Sequence, residues 1–306
     1  MIDLKIGISC RAVVAKYGYE KAFELIKSAG FDAVDINLGS YGNRDDANDI
    51  YLASEDQFTA YFTGIRELAQ RYELIISQTH GRCRTYTPEP EQQEYARWVS
   101  ERDLKATSVL AAPACVIHQI ASGRWPDNYL DNAFMHNKNK EFFDWLAPYA
   151  EAYKTCFSLE TFGRATVNGE KTVDSWADIT LLKEQYGMLN TEYKTICVDT
   201  GHTNEAVPFG RPTAGEAIRM LGKDVTLLHL HDNNGTYDQH LPPLMGDPGA
   251  VNWPDVFDAL DEIGYTGVYN FEIQLARYSY ALPEAIHFLG KMLKRFVENR
   301  GQPRPE

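Results

Sequence analysis

Four side chains able to bind a metal lie at the ends of four successive apolar segments of the sequence. They are Glu160 in CFSLE, Asp199 in TICVD, His229 in LLHLH and Glu272 directly after YNF. A carboxylate in an apolar segment is costly to bury unless it is paired or bound to a cation. Each residue taken singly is more simply a helix cap or a salt-bridge partner. Together, three carboxylates and one imidazole predict a site for Mn2+, Zn2+ or Mg2+.

Further imidazoles and one acid follow the same segments. We interpret five side chains as substrate-binding candidates: His80, His118, His202, His231 and Arg164. His202, Asp238 and His240 form a candidate second metal site. The alternative is that these three contact the substrate or orient the metal ligands. Trp125 and Phe162 are candidates for an apolar wall beside the substrate, although ordinary loop packing explains them equally well.

Short β-type segments alternate with amphipathic helical segments along the chain, which is typical of a parallel sheet wrapped by helices. We predict eight strands, at residues 5–9, 33–38, 74–79, 114–119, 156–161, 195–199, 225–231 and 268–273. The predicted helices are 19–29, 57–71, 91–110, 140–153, 176–185, 214–221, 253–263 and 283–299. This pattern predicts a single (β/α)8 TIM barrel over residues 1–306, with a loose tail at 301–306.

Three long connections, 121–139, 163–175 and 232–252, follow predicted strand ends, where a barrel builds its active site. A doubly wound open sheet is the main alternative architecture. It is disfavoured because no GxGxxG or P-loop motif follows the first strand.

Bulk properties exclude several classes of protein. The net charge of −13 argues against binding to nucleic acid, which requires clustered Lys and Arg. No apolar segment approaches the roughly 20 residues that span a bilayer, and the N-terminus lacks a signal-peptide pattern, so we expect a cytoplasmic enzyme without a membrane partner. Five cysteines without a CxxC pair argue against a disulfide framework or a structural zinc site.

The segment HLHDNNGTYDQHLPPLMGDPG, with LETFG, VDTGH and FEIQ, resembles the sugar phosphate isomerase/epimerase family, barrels related to xylose isomerase and endonuclease IV. The resemblance covers nearly the whole chain. It implies that the Glu160, Asp199, His229 and Glu272 set matches the metal ligands of ketose 3-epimerases. It also implies that His80, His118, Asp238 and His240 match further zinc ligands of endonuclease IV. The epimerases carry an extra Glu and an Arg where this chain reads TFGRAT and DNNG, so their sugar-binding contacts are not carried over.

The resemblance implies a metal-dependent isomerase or epimerase of carbohydrate metabolism. Such an enzyme acts on a sugar or sugar-like polyol through an enediolate, with Glu160 and Glu272 as the acid/base pair. Two alternatives stay open: a dehydratase of the inosose or dehydroshikimate type, and a phosphodiesterase similar to endonuclease IV. A non-catalytic sugar-binding barrel is a third. Family members often form homo-oligomers, but no segment of this sequence marks an interface.

Overall fold

The computed structural model describes residues 4–82, 87–120, 131–167 and 169–300 of the 306-residue chain. Its strands are β1 (Ile6–Ser9), β2 (Ala33–Asn37), β3 (Ile75–His80), β4 (Ala114–Val116), β5 (Cys156–Glu160), β6 (Arg164–Val167), β7 (Glu170–Val173), β8 (Lys194–Asp199), β9 (Val225–His229) and β10 (Tyr269–Phe271). Its α-helices are α1 (Arg11–Ser28), α2 (Glu55–Arg71), α3 (Pro90–Val109), α4 (Asn132–Tyr153), α5 (Ile179–Met188), α6 (Thr200–Ala206), α7 (Ala214–Leu221), α8 (Trp253–Glu262) and α9 (Leu282–Glu298).

Eight of the strands pair in parallel in the order β10-β1-β2-β3-β4-β5-β8-β9. The two end strands meet through Leu230, whose N–H donates to the Asn270 carbonyl at 2.8 Å. The Leu230 carbonyl in turn accepts from the N–H of Glu272 at 3.1 Å. The sheet therefore curves back on itself, and the predicted (β/α)8 TIM barrel is confirmed.

The helices cover this sheet through apolar faces that the sequence spacing predicts. In α8, Val256, Phe257 and Leu260 are buried, and Ile263, directly after the helix, is partly buried against the same core. These positions recur at helical spacing, so one stripe of α8 packs on the barrel. Polar residues end several strands, among them Glu160 in β5, Asp199 in β8 and His229 in β9.

Two helices begin earlier than the sequence predicts. The predicted helix at 19–29 is the second part of α1, which starts at Arg11 and kinks at Gly18, where φ is 74°. Gly18 interrupts the apolar period, so the first part was not recognised. The connection predicted at 121–139 is wrong in its second part, because α4 begins at Asn132. The polar sequence HNKNK concealed its helical character.

The connection predicted at 163–175 is also wrong, because it contains the antiparallel hairpin of β6 and β7. The sequence carries a signal for it, Asn168-Gly169 between two β-type segments, which is a strong hairpin pattern. The short helix α6, directly after Asp199, was likewise not predicted.

Trp125, the segment 121–130 and the tail 301–306 lie outside the residues that the structure describes. Within the described ranges, no helix is long and apolar enough to cross a bilayer.

Candidate metal centre

The four predicted ligands converge at the carboxyl mouth of the barrel. Glu160, Asp199 and His229 are the last residues of β5, β8 and β9, and Glu272 follows β10. Each offers one donor atom, and these four atoms all lie within 4.8 Å of one another. The first three side chains are fully buried, whereas that of Glu272 is 19% exposed. Four neighbouring strands therefore hold one compact cluster of donors that opens toward solvent at Glu272.

The Nδ1 atom of His229 lies at the centre of this cluster. It is 2.7 Å from Glu160 Oε1, 3.3 Å from Glu272 Oε2 and 3.9 Å from Asp199 Oδ2. The opposite nitrogen, Nε2, faces away from the three carboxylates and lies 3.6 Å from Asp35 on β2. Nδ1 is thus the imidazole nitrogen directed at the candidate metal position.

Electrostatics favours charged carboxylates here. Burial would raise the pKa of Glu160, but the charge of His229 and the contacts with His118 and His229 outweigh it, and the pKa lies well below its usual value. The pKa of Glu272 is lowered in the same way: burial opposes the shift, and His229 and His240 produce it. Burial alone would lower the pKa of His229, yet Cys197 and the carboxylates of Glu272 and Glu160 raise it well above normal. A cation in the centre would replace the compensating proton on His229.

One contact tests whether these residues suit a metal. Glu160 Oε2 and His118 Nε2 lie 2.9 Å apart, yet they do not meet hydrogen-bond geometry. Among the residues described, neither atom has a hydrogen-bond partner, although both are buried. The two atoms face each other at ion-pair distance, and a buried carboxylate oxygen and imidazole nitrogen this close together are placed as two ligands of a shared cation would be. With the mixed oxygen and nitrogen set, this observation fits a divalent metal.

A second cluster lies beside the first, on the loop after β9. Donor atoms of His231, Asp238 and His240 lie within 4.8 Å of one another, and the rings of His231 and His240 stack at 4.0 Å. His202, which we predicted in this group, approaches Asp238 with its Nε2 at 3.6 Å from Oδ2. Burial opposes protonation of His240, but Asp238 and Glu272 raise its pKa to about 9. The structure therefore groups Asp238 and His240 with His231, whereas His202 lies beside Asp238 but outside this converging group.

His231 also contacts the first cluster, because its Nε2 lies 2.9 Å from Asp199 Oδ1. A third group joins His80 to Glu160 and His229. The rings of His80 and His229 stack at 5.2 Å, with an interplanar angle of 9°. The three groups of possible metal ligands therefore form one continuous polar surface, the polar floor of the barrel mouth.

A cavity of about 560 Å³ opens above this floor. His80, His118, His202 and His240 line it together with Glu160 and Glu272. The Phe162 ring stacks on the His202 ring, with 5.5 Å between the ring centroids. It packs edge-on against the His118 ring at a centroid distance of 4.8 Å, so it contacts two of the imidazoles. The cavity is large enough for a small polar ligand.

Two of the five substrate-binding candidates are placed differently from His80, His118 and His202, which line the cavity. His231 is fully buried and does not line it, and Arg164 lies to one side. Its guanidinium donates to the Thr236 carbonyl and lies over the Tyr237 ring, and it is not among the described residues that line the cavity. Its predicted role in substrate binding stays a prediction.

Sequence reasoning missed two described residues that belong to this region. Asp35 lies in the middle of β2 and faces His229. Arg11, at the start of α1, lines the cavity from the side of β1. Asp35 carries a usable signal, an acid inside the apolar strand AVDIN, but we looked for acids only at strand ends. Arg11 has no local signal, because it follows the first strand like any helix-initiating residue.

The fold and the site define a (β/α)8 barrel whose carboxyl mouth carries clustered His, Asp and Glu side chains that could hold a metal ion. The sequence model of the xylose isomerase-like TIM barrel family matches residues 23–292. The chain belongs to this family.

Two curated relatives are named only as uncharacterised proteins. A protein of Methanocaldococcus jannaschii is 25% identical over 276 residues, which is 89% of this chain and 84% of the relative. A protein of Sinorhizobium fredii is 24% identical over 179 residues, covering 56% of this chain and 50% of the relative.

Several solved structures share the fold. D-psicose 3-epimerase from Clostridium cellulolyticum, crystallised with D-tagatose, superposes with a TM-score of 0.72 at 16% identity and covers 98% of this chain and 100% of its own. A 3-keto-D-glucoside 4-epimerase from E. coli gives a TM-score of 0.69 at 14% identity, covering 94% and 100%. At these identities the likeness concerns the fold.

Proposed function

We propose that this chain is a metal-dependent isomerase or epimerase that acts on a sugar or sugar-like polyol. The observation that carries the proposal is the convergence of Glu160, Asp199, His229 and Glu272 from four neighbouring strands. The ketose and ketoglucoside epimerases named above share this fold and give the proposal its substrate class.

Glu160, Asp199, His229 and Glu272 would hold the divalent cation, which we expect to be Mn2+ or Zn2+, with Mg2+ as a further candidate. When bound, it would act as a Lewis acid that lowers the free energy of negative charge on a substrate oxygen.

Glu160 and Glu272 are the proposed acid/base pair. In the barrel, β5 and β10 are separated by β8 and β9, so the two carboxylates approach the site from different sides. Their lowered pKa values keep both ionised near neutral pH, as a base must be. One carboxylate removes a proton from the substrate carbon, whose electron pair passes into the enediolate. The other carboxylate takes up a proton from solvent in the open cavity and delivers it to the opposite face of that carbon, and the first then releases its proton to solvent. His80, His118 and His202 line the cavity as hydrogen-bonding partners for the substrate oxygens.

The test compares wild type with Glu272→Gln. We expect turnover of one ketose among a panel of hexuloses and pentuloses, accompanied by uptake of solvent deuterium at the epimerised carbon. Glu272→Gln should lower kcat at least about 100-fold, because proton transfer by a positioned group typically contributes about 10²–10⁴-fold. Glu67→Gln, an exposed change on α2, is the matched control and should behave as wild type. Release of an unsaturated product would instead identify a dehydratase, and absence of turnover with the whole panel would contradict the proposal.

A second candidate function is phosphodiester hydrolysis with several metal ions. Two further groups of possible metal ligands beside the first cluster favour it: one contains His80, and the other consists of His231, Asp238 and His240. The net charge of −13 opposes it, because it disfavours binding to nucleic acid. Two or three metal ions per chain, with cleavage of DNA containing abasic sites, would support this candidate. One ion per chain without cleavage would support the epimerase.

A further inference from the structure

Asp35 is a fully buried carboxylate on β2, in the half of the barrel that does not contribute the four proposed metal ligands. It lies in the middle of β2, three strands away from β9 around the closed barrel. Its Oδ2 is 3.6 Å from His229 Nε2 and accepts from the Asn270 side-chain amide at 3.4 Å. Its Oδ1 has no hydrogen-bond partner among the described residues.

A buried carboxylate is expensive unless a positive or strongly donating group compensates it. In the part of the chain that the structure describes, His229 is the only ion-pair partner of Asp35. Val34 and Ile36, on either side of Asp35 in β2, are buried apolar residues whose side chains alternate to the opposite face, so Asp35 points toward the barrel interior, where His229 lies. Asp35 Oδ2 faces His229 Nε2 at 3.6 Å, an ion-pair distance longer than a hydrogen bond, and among the described residues Nε2 has no hydrogen-bond partner.

The two nitrogens of His229 face different carboxylates. Nδ1 points to Glu160 and Glu272, and Nε2 points to Asp35. An imidazole that offers Nδ1 to a cation carries its proton on Nε2, where Asp35 lies. His80 stacks on the face of the ring, so Asp35 and His80 together restrict its orientation.

We infer that Asp35 is a positioning residue of the metal centre. It holds the proton of His229 on Nε2, keeps Nδ1 directed at the metal position and increases the basicity of that nitrogen. The inference rests on the proposed metal-dependent function. Loss of such a partner typically weakens metal affinity about 10–100-fold.

The experiment measures the Kd for Mn2+ by competition with a chelator and records the visible absorption spectrum of the Co2+-loaded protein. Asp35→Asn keeps the shape of the side chain and removes its charge. We expect Mn2+ to bind about 10–100-fold more weakly to this variant, with a changed Co2+ spectrum. A structural role alone would change the thermal stability of the metal-free protein but not the Co2+ spectrum.

Asp103→Asn is the matched control. Asp103 is equally buried and pairs with the Tyr51 hydroxyl at 2.6 Å, with no contact to His229. Its Mn2+ affinity should stay within about twofold of wild type. If Asp35→Asn does not fold, Asp35→Ala provides the same comparison without a polar group to bury.

The outcomes separate the two proposals. Unchanged Mn2+ affinity and an unchanged Co2+ spectrum in the Asp35 variant would overturn the role of Asp35 and leave the metal-dependent function intact. If wild type binds no divalent metal, the proposed function fails, and the role of Asp35 fails with it.

Discussion

Gly201 shows how one missing side chain shapes the candidate site. It lies between Asp199 and His202 at the start of α6, against the imidazole of His231. A Cβ atom built on Gly201 would overlap the His231 ring at three atoms. His231 in turn holds Asp199, with its Nε2 2.9 Å from Oδ1. The glycine of the DTGH sequence is therefore required by close packing rather than by an unusual backbone angle.

Gly201→Ala should displace His231 and disturb Asp199. Overpacking of this kind typically costs about 1–3 kcal/mol, because the imidazole lies in a buried region that cannot expand. We expect a lower free energy of unfolding in denaturant titration and a lower Mn2+ content after dialysis. Gly187→Ala is the control, since nothing lies within 4 Å of that added methyl group in α5, and it should stabilise the helix by about 0.5–1 kcal/mol. Wild-type stability in Gly201→Ala would show that the ring can move freely.

The sequence was sufficient to predict which side chains converge at the barrel mouth, because acids in apolar strands are conspicuous. Glu160, Asp199 and Glu272 end apolar strands, and their convergence follows from the strand order of a barrel. Asp35 was missed because it lies inside a strand, where the alternation of side chains decides whether it faces the barrel interior. Which nitrogen of His229 faces which carboxylate depends on side-chain rotation, and the sequence does not encode it locally.

At the scale of the elements, the hairpin of β6 and β7 is the main departure from a plain barrel. Arg164, its first residue, donates to the Thr236 carbonyl on the loop after β9. That loop carries Asp238 and His240. The hairpin therefore supports the second donor cluster from outside the cavity. Helices whose apolar residues recur at clear helical spacing, such as α7, were predicted with their observed bounds. The short elements at the mouth, α6, β6 and β7, were not predicted, because their conformation depends on contacts across the site.

Arg164→Ala should loosen the loop that carries the second cluster. A hydrogen bond contributes about 1 kcal/mol, so we expect amide hydrogen exchange of residues 234–240 to accelerate about fivefold. Mass spectrometry of exchanged peptides measures this. Lys171→Ala, an exposed change on the same hairpin, should leave the loop unchanged. The competing prediction, that Arg164 binds the substrate, requires instead a raised KM with unaltered exchange.

At the scale of the whole molecule, the candidate metal centre joins four strands that lie side by side in the barrel. β5, β8, β9 and β10 come from the second half of the chain, and the site depends on their closure against β1. Alternating strands and helices were sufficient to predict this architecture, because each unit places its strand end at the same mouth. Burial and mutual repulsion oppose the collection of several carboxylates in one place, so a bound cation should stabilise the entire barrel.

Removal of the metal should therefore lower the melting temperature of the protein. A ligand at 100 times its Kd stabilises the folded state by about 2.7 kcal/mol, which corresponds to a shift of roughly 4 °C for a chain of 306 residues. Differential scanning calorimetry after chelation, with Mn2+ then restored, measures the shift. Glu160→Gln removes the ligand that contacts His229, His118 and His80, so its melting temperature should respond little to either treatment. If the melting temperatures of wild type and Glu160→Gln changed equally on chelation, the stabilising ion would be bound elsewhere. A cation bound at this cluster should lose most of its effect when Glu160 is replaced.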